Sequence, residues 1–444
     1  MPLLPSRERR AQILALALPI IGGMTSQNLL NLADAWMVGG LGPSALAATG
    51  MANFVNFIAN AAVMGVSPAV QAIAARRIGE GRDSESAAPL NGGLLLSLLI
   101  GVPVTLLLIA LAPWLFAKLN HDPDVIRQGV PYLRWRMLAV TAVGMNFSFR
   151  GYWSASSRAR FYMLTLVFMH VLNVIFSYTL IHGLFGFPEL GTTGAGIGTT
   201  LSIFCGTALY FWLAGRHALG GGFLQRWPTR EEFGSLLRLG IPSAIQQLLF
   251  SGGFVVLFWI VGKVGTAELA VANVLVTIAL TAILPGMGLG IAAATLVSQA
   301  LGRKDAADAH RWSWDVYRTG CGLFLALALP MVFFPSPVLA LFVREPALVA
   351  LGRLPLQLVG AMILLDGLGL VMLQALLGAG ASGLVMIVSV ALQWGLFLPL
   401  AYVVGPVLGY GLLAIWLAMG LYRVLQTTVF TLAWERRGWA QIKV

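Results

Sequence analysis

Long apolar runs recur along the whole chain, separated by short segments that carry most of the charge. Leu94–Phe116, Met163–Ile181 and Leu384–Val404 are examples, and each is long enough to cross a hydrocarbon core of about 30 Å as a helix. Glycine and proline within these runs are compatible with helices, because both are frequent in membrane spans. The pattern predicts spans near 13–39, 45–73, 92–117, 128–153, 160–184, 191–215, 235–261, 267–300, 316–343, 347–377, 381–404 and 409–434.

Composition supports a membrane protein. Apolar residues make up 58% of the 444 positions and charged residues 10%, too few charges to cover a soluble surface. The first apolar run follows basic residues and continues to full span length, so we interpret it as a retained helix rather than a cleaved signal peptide. Cys205 and Cys321 lie within predicted spans, and we expect two buried thiols rather than a disulfide.

The basic residues predict the orientation of the spans. The net charge of +11 is concentrated in loops on one side, whereas the opposite side holds few basic residues. Under the positive-inside rule both termini are cytoplasmic, which requires an even number of spans. This distribution also argues against a nucleic-acid partner. The basic side comprises segments near 7–10, 76–82, 158–160, 216–238, 303–318 and 436–443, and the opposite side comprises Lys118, Arg127, Arg134, Arg136, Lys263, Arg344 and Arg353.

The second half of the chain repeats the first at a constant offset, which places Pro19 on Pro242. Residues 19–79 align without a gap on 242–302, and six spans separate the copies, so the repeats are parallel. We therefore predict an all-α membrane protein with 12 transmembrane helices in two six-helix lobes related by an internal pseudo-two-fold repeat. The predicted divisions are an N-terminal lobe at 1–215, a cytoplasmic linker at 216–233 and a C-terminal lobe at 234–444. The matched residues include Pro19 and Pro242, Trp36 and Trp259, Gly65 and Gly288, and Gly79 and Gly302.

Polar residues recur at helical spacing within the N-terminal spans. An ionised carboxylate facing lipid is costly, so Asp34 is expected to face the interior and to be functional. For any single asparagine the alternative is that its amide only holds helices together. These stripes comprise Gln27, Asn28, Asn31 and Asp34 in span one, Asn53, Asn56 and Asn60 in span two, Asn173 and Ser177 in span five, and Thr199 and Thr200 in span six.

The second repeat is apolar where the first is polar. Leu257 stands opposite Asp34 and Phe254 opposite Asn31, so we assign ion chemistry to the N-terminal half and an apolar substrate face to the C-terminal half. Asp366 in span ten is the exception. It is either a second coupling or substrate-binding carboxylate, or a residue near a helix end in water.

Several segments together resemble the MATE multidrug and toxic-compound extrusion family. The likeness covers nearly the whole chain, and the order and spacing of the segments are more specific than any single one. The segments are LADAWMVGGLG at 32–42, FRGYWSASSRAR at 149–160, LNVIFSY at 172–178, GAGIGTT at 194–200 and LPLAYVVG at 398–405.

The resemblance implies roles for particular residues. Asp34 corresponds to the essential N-lobe carboxylate of the family, and Asp366 matches an acid of its NorM-like branch. Ser177 stands where relatives often have Asp or Asn. The NorM-like and DinF-like branches both stay open. The resemblance places the cation ligands at Asp34, Asn173, Ser177, Ala195 (through its carbonyl) and Thr199.

Two further departures concern the C-terminal lobe. Phe250 and Leu377 replace a Glu and an Arg that relatives carry. We expect them to leave Asp366 without the charged neighbours that a second ion site would need.

The expected function is cation-coupled efflux. A carboxyl among amide and hydroxyl oxygens can exchange a proton or hold Na⁺, with Asp34, Asn173, Ser177 and Thr199 as the candidate Na⁺ ligands. Cation entry would then drive release of an amphipathic, cationic organic compound by alternating access. Pro19 and Gly23 give span one a bending point, and Gln27, Asn31, Asn56 and Asp366 are candidates for substrate binding or secondary coupling.

A flippase, an enzyme and a channel are the alternative classes of membrane protein. A lipid-linked oligosaccharide flippase of the same superfamily shares the two-lobe design, but usually has a cationic cavity. An enzyme would need a catalytic cluster, and His170 and His182 are isolated in the sequence; a channel would conduct without coupling. No nucleotide-binding loop is present, so we expect no cofactor besides the coupling ion, and a monomer in the inner membrane with drugs and lipid as its partners.

Overall fold

The computed structural model describes residues 5–442, so Lys443 of the predicted basic side lies outside the described residues. Within 5–442 the chain is helical and contains no strand. The first repeat contains α1 (Arg7–Gly39), α2 (Pro43–Met64), α3 (Val66–Gly79), α4 (Ala88–Leu119), α5 (Pro123–Leu138), α6 (Val140–Ala155), α7 (Ala159–His182) and α8 (Gly191–His217). The second contains α9 (Arg230–Val264), α10 (Thr266–Gly302), α11 (Ala306–Phe333), α12 (Pro335–Ala340), α13 (Pro346–Gly378), α14 (Ser382–Val390), α15 (Leu398–Tyr402) and α16 (Gly411–Glu435). Short 3₁₀ turns lie at Asp83–Glu85, Leu184–Gly186, Leu219–Gly221 and Gly438–Gln441.

Eleven helices among the described residues are long and apolar enough to cross a membrane, which confirms the all-α membrane class. The predicted span at 128–153 corresponds to α5 and α6, which follow one another across Ala139. This helix pair carries four arginines, which lower its hydropathy below that of the eleven others. They are Arg127, Arg134, Arg136 and Arg150.

One predicted span is displaced by ten residues at both ends. The sequence predicts 316–343, whereas α11 begins at Ala306 and ends at Phe333. The start is earlier because the side chain of Asp305 accepts a hydrogen bond from the Asp308 amide and caps a polar first turn. The end is earlier because Pro335 begins a separate short helix, α12.

The helix bounds repeat at the offset found in the sequence. The shift that places Pro19 on Pro242 also carries Arg7, where α1 begins, onto Arg230, where α9 begins. The same shift carries Pro43–Gly79 onto Thr266–Gly302, and it carries the α5–α6 pair, Pro123–Ala155, onto α13 at Pro346–Gly378. The repeat therefore extends well beyond the segment in which identical residues reveal it.

The chain forms two compact units. Gly22–Ala244 form the N unit, and the described residues up to Ile21 together with those from Ile245 onward form the C unit. The two dividing points occupy equivalent positions of the repeat, so each unit contains the first segment of the other repeat's first helix. The division into lobes at 1–215 and 234–444, joined by a linker at 216–233, describes the sequence repeats and stays a prediction.

We call the two first-helix segments that lie in the unit of the other repeat the exchanged segments: the described residues up to Ile21, and residues 230–244. In each unit the exchanged segment packs against a glycine. In the N unit a Cβ on Gly65 would lie 2.6 Å from the backbone nitrogen of Ala244. In the C unit the equivalent Gly288 faces Ile21, and a Cβ there would lie 3.3 Å from the Ile21 nitrogen. Glycine permits this approach because it has no side chain.

Ion pairs hold both exchanged segments. In the N unit Glu232 of α9 pairs with Arg77. In the C unit Arg9 of α1 pairs with Asp308 at 2.7 Å and with Asp315 at 2.6 Å. Arg9 and Glu232 are equivalent in the repeat, so the two units use opposite charges at one position.

Candidate functional site

Close packing of α1 on α7 positions the polar stripe of the N unit. A Cβ on Gly23 would lie 2.9 Å from the Tyr162 ring, and one on Gly22 would lie 3.2 Å from the sulfur of Met163. The glycines therefore let the two helices approach closely. The predicted bending role of Gly23 and Pro19 stays a prediction, and α1 is a continuous helix through both.

His170 joins the two helices by hydrogen bonds. Its Nδ1 lies 3.0 Å from the Ser26 hydroxyl and its Nε2 lies 3.1 Å from Oε1 of Gln27. Gln27 in turn donates from Nε2 to Oδ1 of Asn31 at 3.2 Å. His170 is thus not isolated, although its sequence neighbours are apolar; its position three residues before Asn173 is the signal that the sequence offers.

Four predicted cation ligands meet in pairs on α7 and α8. Ser177 donates to Oδ1 of Asn173 at 3.4 Å, and both side chains are buried. The hydroxyl of Thr199 donates to the carbonyl of Ala195 at 2.9 Å. A Cβ on Gly198 would lie 2.6 Å from the Ser177 hydroxyl oxygen, so the two helices are in direct contact here.

Asp34 lies half-buried on α1. Within residues 5–442 its carboxylate makes no hydrogen bond, in contrast to the paired side chains of α7 and α8. The positively charged Arg136 on α5 attracts the Asp34 carboxylate electrostatically. Its oxygens therefore keep their capacity to bind a cation.

Tyr132 is a buried residue of this region that sequence reasoning missed. Its hydroxyl donates to Oδ1 of Asn53 at 3.1 Å. A Cβ on Gly196 of α8 would lie 3.2 Å from its ring. Tyr132 and Arg136 are four residues apart and so share one face of α5, a spacing that was the available signal.

The remaining amides of span two differ in their surroundings. Asn56 is buried, whereas Asn53 is exposed. Oδ1 of Asn60 is buried without a hydrogen-bond partner in the described part of the chain. The predicted role of Asn56 in substrate binding or secondary coupling stays a prediction.

Asp366 has a charged neighbour in the C unit. Nε of Arg423, on α16, lies 3.9 Å from its Oδ1, and each side chain is 16% exposed. The expectation that Phe250 and Leu377 leave Asp366 without charged neighbours is therefore wrong. The partner comes from the last helix, far from Asp366 in sequence, and no spacing rule connects the two.

Each member of this pair lines a small cavity of the C unit. The Asp366 cavity is walled by helices α10, α11 and α13, and the Arg423 cavity by α9, α16 and the segment between α14 and α15. The first is lined by Ala279, Ala282, Ile283, Gly286, Phe324, Val359, Ile363, Asp366, Gly367 and Leu370. The second is lined by Phe250, Gly253, Phe254, Leu257, Gln393, Phe397, Met419, Tyr422 and Arg423.

A π-helical segment, Ala391–Phe397, forms one wall of the Arg423 cavity. Gln393 donates to the carbonyl of Phe250 at 3.1 Å, and Trp394 donates to that of Leu249 at 3.0 Å. Both bonds fasten the segment to α9. A second π-helical segment follows at Val403–Val407.

These features define a polytopic membrane protein of two homologous units. The chain belongs to the MatE family, whose sequence model matches residues 19–179 and again 242–403. The two matches begin at the equivalent prolines Pro19 and Pro242, as the repeat requires.

Related proteins align with this chain over nearly its full length. A probable multidrug resistance protein NorM of Thermotoga maritima is 26% identical, with 97% of this chain and 94% of the relative covered. Its counterpart in Synechococcus is 28% identical, with 94% and 91% covered. An outward-facing multidrug resistance MATE transporter of the MOP superfamily shares the fold, with a TM-score of 0.88, 24% identity, and 98% and 97% of the two chains covered.

Proposed function

We propose that this protein exports amphipathic, cationic organic compounds by antiport against H⁺ or Na⁺. The observation that carries the proposal is the Asp34 carboxylate, half-buried within the membrane part of the N unit and free of hydrogen bonds to the described residues. Membership of the MatE family supports transport, and the multidrug resistance names of its relatives support the substrate class.

The packing of α1 on α7 supports a shared cation site. The two helices run in the same direction, since Gly23 contacts Tyr162 and Gln27 contacts His170. Asp34 is seven residues beyond Gln27, and Ser177 is seven residues beyond His170. Seven residues of α-helix rise about 10 Å. The carboxylate of Asp34 therefore belongs at the level of Ser177.

The ligands suit a hard cation. Carboxylate, amide, hydroxyl and carbonyl oxygens are the groups that such ions prefer, and the same carboxylate can exchange a proton instead. Burial of Asp34 disfavours its negative charge, and the attraction of Arg136 offsets that cost only in part. A bound cation or proton removes the remaining cost, which couples occupancy of the site to the position of α1 and so to alternating access.

The same proposal covers the setting of the protein. We assign it to the inner membrane as a monomer, with both termini cytoplasmic. The concentration of basic residues in alternate loops supports the orientation of the termini.

The test is efflux of cationic dyes from reconstituted vesicles, with the proton and sodium gradients imposed separately. Wild-type protein is expected to export dye under at least one gradient, and Asp34→Asn is expected to abolish that coupling because it removes the titrating charge. Circular dichroism and a melting curve check that the variant is folded. Full gradient-driven export by Asp34→Asn would overturn the site assignment, and flux without any gradient would indicate a channel.

A further inference from the structure

An open hollow lies in the C unit where the chain passes from α11 to α13. Its volume is about 810 Å³, which falls among ligand pockets of about 300–1,000 Å³. One wall is α12 with the residues that follow it. The other wall is a stripe of α13 whose members recur every three or four residues and so share one face of the helix. The first wall includes Ser336 and Arg344, and the stripe includes Pro346, Ala350, Arg353 and Gln357.

A break between α11 and α12 shapes this hollow. Phe334 has a φ of −129° and a ψ of 48°, outside the helical region. Gln357 of α13 donates from Nε2 to the carbonyl of Val332 at 2.9 Å, which satisfies an acceptor of the last turn of α11. In the first repeat the equivalent of Phe334 is Leu111, which lies within the unbroken helix α4. The break therefore belongs to the second repeat alone.

The connection between α11 and α13 lies at the level of the membrane surface, because both helices are long and apolar enough to cross a membrane. Apolar side chains are exposed on both sides of α12. Phe333 and Phe334 precede this helix, and Leu341 and Phe342 follow it. Aromatic and aliphatic side chains at this level contact lipid headgroups and the upper parts of acyl chains. The hollow therefore lies beside lipid.

Two arginines of the hollow have no protein partner. Arg344 and Arg353 are both exposed, and within residues 5–442 neither forms a hydrogen bond or an ion pair. None of the described lining residues is acidic, and the exposed Glu345 is not among them. The hydroxyl of Ser336 is likewise free of hydrogen bonds to the described residues. The hollow thus combines positive charge with donors that are available to a ligand.

This arrangement is not general to this end of the molecule. His121 and Val130 stand at the positions of the first repeat that are equivalent to the two arginines. The arginine that the first repeat carries nearby, Arg127, pairs with Asp124 at 2.9 Å. Basic residues are also sparse on this predicted side, where the positive-inside rule disfavours them. Unpaired arginines here therefore indicate an anionic ligand.

We propose that the hollow binds the headgroup of an anionic phospholipid, with Arg344 and Arg353 donating to its phosphate. A guanidinium matches the geometry of a phosphate and can donate two parallel hydrogen bonds to it. The apolar lining residues Val343, Val349 and Leu354 suit the upper part of the acyl chains, from which a soluble anion would gain nothing. A zwitterionic headgroup is less favourable, because its ammonium is repelled by the two arginines. The inference does not depend on the proposed export function.

A fluorophore beside the hollow provides a local test. It is attached to Ala347→Cys, an exposed position next to the lining residues, in protein that carries Cys205→Ala and Cys321→Ala. This labelled protein is reconstituted in phosphatidylcholine vesicles. A small share of lipid with a nitroxide near the headgroup end of one acyl chain, either phosphatidylglycerol or phosphatidylcholine, quenches the fluorophore. Titration of each nitroxide lipid gives its relative association constant. The labelled protein is expected to favour phosphatidylglycerol.

The double variant Arg344→Gln with Arg353→Gln is expected to lower that preference by about fivefold, because two exposed charges are lost that each contribute modestly. The double variant Lys118→Gln with Arg127→Gln removes an equal charge from exposed positions on the same predicted side of the first repeat, and it is expected to keep the preference. Melting curves check that both double variants are folded. Equal quenching by the two lipids in the labelled protein, or a preference that survives loss of both hollow arginines, would overturn the site. An equal loss in the control would show a diffuse effect of surface charge and would overturn it as well.

Inorganic phosphate distinguishes a lipid headgroup from a soluble anion. The titration is repeated with phosphate in place of chloride at the same ionic strength, and the preference for phosphatidylglycerol is expected to be unchanged. Loss of the preference in phosphate would show that the arginines bind a soluble anion, and it would overturn the lipid assignment. All of these measurements are made without an ion gradient, so their results are separate from those on export.

Discussion

At the scale of single residues, the proposed coupling site combines one charged ligand with several neutral ones. Asp34 alone can change its charge, whereas Asn173 and Thr199 offer uncharged oxygens on α7 and α8. Loss of a neutral ligand removes one contact of several. Loss of the carboxylate removes the chemistry.

Asn173→Ala and Thr199→Ala are therefore expected to weaken coupling by less than Asp34→Asn. Each removes an interaction worth about 1 kcal/mol, or roughly a fivefold change in apparent cation affinity. The measurement is dye efflux over a range of pH and sodium concentration. Thr193→Ala, at a partly buried position outside the ligand set on the same helix, serves as the control. Wild-type behaviour of both variants would contradict the ligand assignment.

The sequence identifies part of this residue-level picture. Asp34, Asn173 and Ser177 stand out because polar groups at helical spacing are conspicuous in apolar spans. Tyr132 does not stand out, because it acts through a partner on a different helix. Arg423 is a charged residue within the predicted span 409–434, but its partner Asp366 lies far away in sequence and only the fold brings the two together.

At the scale of helices, the two glycines that receive the exchanged segments face different atoms. A Cβ on Gly65 would meet the backbone of Gly240 and Ala244, which cannot move without displacing α9. A Cβ on Gly288 would chiefly meet the side chain of Ile21, which can change rotamer.

Gly65→Ala is accordingly expected to destabilise the protein more than Gly288→Ala. Overpacking costs about 1–3 kcal/mol where neighbours can adjust, and the Gly65 site belongs at or above the upper end. Thermal unfolding of the purified variants measures the difference, with Gly39→Ala as control because no described atom lies within 4 Å of the added Cβ. Equal melting temperatures for the two variants would contradict this account.

Hydropathy predicts the positions of most helices, but it does not predict all of their bounds or their irregular segments. The span positions and the repeat follow from apolar runs and fixed Gly and Pro positions. The first turns of α11 extend beyond any apolar run, and α5–α6 carries arginines that reduce its signal. Side chains of the π-helical segment Ala391–Phe397 bond to a neighbouring helix, and a local sequence pattern does not contain such contacts.

At the scale of the whole molecule, the N unit depends on charges that fasten the start of α9. The Arg77 side chain is 7% exposed and pairs with Glu232, which is 17% exposed. Arg77 also donates to the carbonyl of Glu85 at 2.9 Å. Removing the carboxylate would leave a nearly buried guanidinium without its opposite charge.

Glu232→Gln is expected to destabilise the protein by about 2 kcal/mol or more, which is lower than for a fully buried pair because Glu232 retains some exposure. Arg82→Gln breaks the pairs of Arg82 with Glu80 and Glu85, in which Arg82 is 48% exposed, and surface pairs are worth about 0–1 kcal/mol each. Thermal melting compares the two variants. A larger shift for Arg82→Gln would show that burial of the Arg77 pair does not govern stability here.

The exchange of first-helix segments bears on how such a chain could arise by duplication. In a half-length ancestor with the same architecture, the glycine equivalent to Gly65 would have packed against the first helix of a second copy. Only copies inserted in the same direction could trade these helices reciprocally, in agreement with the parallel repeats. Gene fusion would then have joined two copies that already exchanged their first-helix segments. The opposite charges of the equivalent residues Arg9 and Glu232 would have arisen later, as the two copies diverged in sequence.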